Sequence, residues 1–115
     1  MPTEAWSDTI WINHLPDGEP LGDDLDTLDA RLRKTHPMPD VVLDLAGLSS
    51  INSSHLGQLI RTHELLTRAG ARLRLAAPPD NLWSIFLTTG LDRVMQFTPD
   101  TATALAELQL PDEQH

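Results

Sequence analysis

Residues 41–57, VVLDLAGLSSINSSHLG, carry the reading on which the fold turns. Val41 to Leu45 is apolar but for Asp44, with the length and β-branched content of a strand buried in a parallel sheet. A loop without a regular period follows, and then Asn52-Ser53-Ser54 opens an amphipathic helix. The loop therefore delivers hydroxyls to a helix N-terminus. Free backbone N–H groups and the positive end of the helix dipole favour an anion there, so a phosphate carried on Ser53 or Ser54, or bound beside them, is stabilised by the position.

Outward from this stretch the chain alternates strand and helix signals. Thr9 to Leu15 has a period of two, with Ile10, Ile12 and His14 on one side and Trp11 and Asn13 on the other. PDGEP turns the chain. Leu21, Leu25, Leu28 and Leu32 form a helical stripe from Leu21 to Lys34, with acids early and bases late to match the helix dipole. HPMPD stops that helix, because the residue before a proline is pushed out of the α region.

Beyond Asn52, a helix over Ser53 to Ala69 places Leu56, Leu59, Ile60, His63 and Leu66 on one face, and Gly70 ends it. Arg72 to Ala76 alternates as a strand. Asp80 to Thr89 reads as a short helix ended by Gly90, and Arg93 to Phe97 as a last strand. Thr98 is expected as a cap with Pro99 at the first helical position of a final helix to about Leu108, leaving 111–115 as a frayed tail. The order β-α-β-α-β-α-β-α predicts a single α/β domain. Its sheet should be mostly parallel, with four to five strands, right-handed crossovers and about four helices.

A chain of 115 residues suits one domain rather than two. The net charge is −9, with nine acids to three bases over residues 1–40 and eight to five thereafter. Neither half offers a basic face for nucleic acid, and the bases are too dispersed for a polybasic membrane patch. No apolar run approaches the ~20 residues of a membrane span, and the N-terminus does not read as a signal peptide, so a cytoplasmic protein is expected. Zero cysteines exclude thiolate chemistry and disulfides. The five histidines lack metal-ligand spacing, and no cofactor motif is present.

The segments LDLAGLSSINSSHLGQLI (43–60) and LTTGLDRVMQF (87–97) resemble the STAS domain family, which includes anti-sigma-factor antagonists and the cytoplasmic domains of sulfate transporters. The likeness runs from about Thr9 to Leu108. The family motif is an apolar strand ending in Asp-Leu, a loop, and Asp-Ser-Ser-Gly-Leu-Gly opening a helix. Here it reads Asn52-Ser53-Ser54-His55-Leu56-Gly57, with Asn52 in place of the acid and His55 in place of a glycine.

The resemblance implies a non-enzymatic interaction module that docks on a serine kinase doubling as anti-sigma factor. Ser53 would be the phosphorylated residue, with Asn52, Ser54, His55 and Gly57 at the contact surface. A second branch of the family implies a small subunit that stabilises the ATPase of a lipid-trafficking ABC transporter. A serine-dependent hydrolase using Ser53 and His55 is a third reading, although residues two apart on a helix point to different faces.

Three further positions stand out. Asp44, in an apolar strand, is expected to accept hydrogen bonds from amides of the Gly47 to Ile51 loop, a structural role. Between Asp80 and Thr89, Leu82, Ile85 and Phe86 fill the inward face, which leaves Trp83 and Leu87 outside as an exposed apolar pair. The pair reads either as a wide apolar stripe or homodimer contact, or as a partner-binding hot spot.

Overall fold

The computed structural model describes residues 3–110. The tail expected at 111–115 lies outside the described residues. Five strands form one sheet in sequential order: β1 (Thr3–Ala5), β2 (Ile10–His14), β3 (Asp40–Asp44), β4 (Leu73–Ala76) and β5 (Gln96–Thr98). β1 runs antiparallel to β2, and every other pair is parallel. The connections are α1 (Pro20–Arg33), α2 (Ser53–Arg68) and α3 (Asp80–Thr89), and α4 (Thr101–Leu108) follows β5.

The crossover helices share one face of the sheet. Leu21, Leu25, Leu28 and Leu32 of α1, Leu59 and Leu66 of α2, and Leu82 and Phe86 of α3 pack with Val41, Leu43 and Leu75 into the main core. The opposite face is thinner. There Ile10, Ile12, Val42 and Ala76 are covered by Ala104 and Leu108 of α4. Both faces of the central strands are thus dry, which is why Val41–Leu43 carries no polar residue.

A polar side chain is fully enclosed between β2 and α1. Asn13, on the face covered by α1, is buried and bonds to Asp24 of that helix. Burial raises the Asp24 pKa above its ordinary value, opposed by the Asn13 hydrogen bond. Arg72 ties the other end of the sheet: its guanidinium donates to the carbonyls of Leu108 and Leu110 at 2.8 Å each and to Asp40 Oδ2 at 3.1 Å, while its amide donates to Asp40 Oδ1 at 2.7 Å.

The expected boundaries change in three places. The last strand is Gln96–Thr98 rather than Arg93 to Phe97. Gly90 ends α3 in the left-handed region at φ 78°, and a 3-10 turn over Leu91–Arg93 follows. Its Leu91 carbonyl accepts from Met95, so both apolar residues turn inward at helical spacing and not as a strand. The cap of α4 is Asp100, which accepts from the Thr103 amide at 2.7 Å; Thr98 is instead the buried last residue of β5, and Pro99 precedes the cap. Finally, β1 is an additional strand, paired through Glu4 opposite Ile12.

Candidate functional site

Asn52 caps α2 with an extended backbone, and its Oδ1 accepts from the His55 amide at 2.9 Å. His55 Nδ1 accepts from the Asn52 amide at 3.2 Å, closing a reciprocal capping box. The residue that replaces the motif's glycine therefore does the work usually given to Glu or Gln at this position. Ser53 and Ser54 follow the cap, both exposed, in the first turn. His55 is turned back onto Asn52 and its Nε2 faces Gly22 of α1, so no Ser53–His55 hydrogen bond forms among the described residues. In this geometry His55 is the partner of Asn52 and not a hydrogen-bonded base for Ser53.

The start of α2 lies against α1. Gln58 Nε2 donates to the Gly22 carbonyl at 3.0 Å and to Asp26 Oδ1 at 2.8 Å. Between the two helix starts is an open groove of about 510 Å³, bordered by Ser53, Ser54, Gly57, Arg61, Asp23 and Asp26. A negative group on either serine would gain the helix N-terminus and Arg61, and meet repulsion from the two aspartates.

The loop carrying these serines is held differently from the expectation for Asp44. Asp44 Oδ1 accepts from the Ala46 amide at 3.0 Å, not from the Gly47 to Ile51 amides. Asp17, between β2 and α1, performs that task by accepting from the Ser49 amide at 2.9 Å and the Ser49 hydroxyl at 2.6 Å. Asn81 of α3 donates to the Ser49 carbonyl at 2.6 Å, so the loop is gripped from both sides. Buried Leu48 anchors it below.

The other oxygen of Asp44 meets His14. Nδ1 lies 2.7 Å from Asp44 Oδ2, and Nε2 lies 2.7 Å from Glu4 Oε1, so one imidazole bridges β1, β2 and β3. The Asp44 hydrogen bond is the main cause raising the His14 pKa above its ordinary value, against partial desolvation. The Ser49 hydroxyl is the main cause lowering the Asp17 pKa.

Opposite pH dependences follow from these two shifts. A raised histidine stabilises fully below its unfolded pKa and loses that contribution as pH rises through the folded value; a lowered aspartate loses its contribution as pH falls through its folded value. His14→Gln should therefore cost stability at pH 6 and little at pH 9, by under about 1 kcal/mol because the ring is exposed. Asp44→Ala, which also removes the Ala46 acceptor, should cost about 1–3 kcal/mol. Urea denaturation at the two pH values checks both, and an unchanged midpoint for Asp44→Ala would mean that its hydrogen bonds contribute nothing net.

Trp83 does not stand outside the domain as expected. It is partly buried, packed on the main core, with its ring edge-on to Phe97 of β5 at 5.2 Å and 71°. Ile85, assigned inward, is only partly buried. Leu87 is 50% exposed, so the expected exposed pair reduces to one residue. Among the described residues no group of three or more His, Asp or Glu is placed to hold a metal, and no helix is long and apolar enough to cross a membrane.

The STAS domain family model matches residues 17–104, and the chain belongs to that family. Among solved structures, a candidate anti-sigma factor antagonist from Thermotoga maritima superposes with a TM-score of 0.81 at 19% identity, covering 95% of this chain and 94% of its own. An anti-sigma-factor antagonist (STAS) domain protein from Planctomyces limnophilus has a TM-score of 0.69 at 18% identity over 84% and 89% of the two chains. A serine-to-glutamate variant of Moorella thermoacetica RsbS has a TM-score of 0.76 at 19% identity over 95% and 96%. No curated protein sequence matches the chain.

Proposed function

We propose that the chain is a regulatory interaction module of the antagonist type, non-enzymatic, which docks on a serine kinase acting as anti-sigma factor through the start of α2. The carrying observation is the placement of Ser53: exposed, first residue of a 16-residue helix, directly after its cap and beside an open groove. Phosphate there would add about −1.5 to −2 charge at pH 7 where a partner approaches. Asn52, Ser54, His55 and Gly57 complete the contact surface, and Leu87 on the neighbouring helix offers an apolar contact to the partner or to a second copy.

Incubation with the cognate kinase followed by phosphopeptide mapping tests the reading. Modification should fall on Ser53 and not Ser54, and Ser53→Asp should weaken partner binding by at least about tenfold through added negative charge beside Asp23 and Asp26. Modification confined to another residue would sink the assignment.

The closed Asn52–His55 capping box favours a second reading, since it lacks the motif's carboxylate and fills its glycine position. In that reading the same surface holds the ATPase of a lipid-trafficking ABC transporter without phosphate chemistry. Stable co-purification with such an ATPase, unaffected by Ser53→Ala, would support it over the first.

A further inference from the structure

A second concavity lies away from the serines, at the C-terminal edge of the sheet where β4 leads into α3 and β5 into α4. It is an open concavity of about 330 Å³, bordered by Pro78, Asp80, Trp83, Phe97, Thr98 and Pro99. That volume is at the small end of the range for sites that take small molecules. Trp83 and Phe97 meet at 71°, so their rings form a corner and not a flat wall. Phe86 backs the Phe97 ring from the core at 4.7 Å, which fixes the corner in place.

The charge of the lining has one sign. Asp80 is its single ionisable residue, no Lys, Arg or His borders it, and the whole chain carries −9. An acid in the first turn of a helix is favourable on its own account. The dipole does not call for two aromatic rings beside it. The Asp80 carboxylate has no hydrogen-bond partner among the described residues.

The backbone beside the concavity is also unusual. Ala77, immediately before Pro78, has φ 57°, the one positive φ at a non-glycine residue among those described, and its amide donates to the Thr98 carbonyl at 3.0 Å. Alanine in the left-handed region is disfavoured, and such residues persist where surrounding structure imposes them, often at ligand sites. Here the imposed turn brings Pro78 and Asp80 round to face Phe97 and Pro99.

We propose that this corner is a binding site for a small organic ammonium ion carrying methyl groups. The rings attract a cation electrostatically and its methyl groups pack against Pro78 and Pro99, while Asp80 supplies the opposite charge. An anion would meet Asp80 and the acidic surface. A neutral apolar ligand would leave the carboxylate unused.

The test compares choline with its uncharged isostere 3,3-dimethyl-1-butanol, each titrated into the 115-residue chain and followed by amide and indole NMR shifts. Choline should bind saturably at millimolar concentrations, at least about tenfold more tightly than the isostere, and shift Ala77, Thr98 and the Trp83 indole. Asp80→Asn, a surface change, should weaken choline by about fivefold and leave the isostere unaffected. Trp83→Leu should abolish choline binding, with the thermal melt recorded beside it because that ring also packs on the core. Equal affinity for the two ligands, shifts confined to Trp6 or Trp11, or no saturable binding by choline would each overturn the proposal.

Discussion

Phe86→Ala should cost about 3–5 kcal/mol of folding stability, the range for deleting a fully buried aromatic ring. Phe86 has no exposed surface and lies on the inward face of α3, stacked at a tilt of 50° on Phe97 of β5. Together with the Trp83 ring, it fastens α3 to the edge strand. Nothing nearby can refill the space without moving the helix, since Leu82, Leu75 and Met95 around the main core are themselves closed in. The loss should also loosen the Trp83–Phe97 corner, which Phe86 supports from below. Chemical denaturation gives the first quantity, and the Trp83 indole signal reports the second. A loss below about 1 kcal/mol would show that α3 collapses onto β5 and heals the cavity.

Arg72→Ala should cost about 2–4 kcal/mol, an effect of similar size with a different origin. Its guanidinium reaches the carbonyls of Leu108 and Leu110, groups left without helical partners at the end of α4, and the carboxylate of Asp40. Both charged side chains are mostly shielded, at 19% and 17% exposure, so removing one leaves the other desolvated and unmatched. α4 has eight residues and could not hold its place by propensity alone. The variant should therefore raise amide exchange at Ile12 and Val42, which α4 covers, before it affects Leu59 or Leu66. Arg72→Lys should recover less than half of the loss, because an ammonium cannot span three acceptors in a planar fork. Uniform exchange across both faces would show that Arg72 supports the whole sheet and not α4 in particular.

The sequence carries the fold where burial imposes a period. The leucine stripe of α1 and the apolar run of β3 are read correctly because each has one environment along its length. β1 is different: Thr3–Ala5 is too short for a pattern and exists because β2 offers an edge. The expected strand over Arg93 to Phe97 is displaced for a related reason, since Leu91 and Met95 are drawn inward by a 3-10 turn that follows the left-handed Gly90. At the candidate site, the cap Asn52 and the serines are legible as local chemistry. Asp17 and Asn81 are not, for they reach Ser49 across 32 residues each, and no spacing rule links them. Helix phase alone places Trp83 outward, whereas Phe97, which meets it, comes from a strand of the sheet.

The sequential strand order sets how this chain can assemble. Ile10 pairs with Asp40, Val41 with Leu73 and Arg74 with Gln96, so no parallel pair waits for a strand beyond its nearest neighbour in sequence. Each closure spans a single crossover helix. Parallel sheets are usually slow to form because distant strands must meet before any contact repays the lost chain entropy. Here the search is divided into short steps, each adding one strand and one helix to an existing edge. A chain consolidating in that order would leave the thin face uncovered until α4 docks on it.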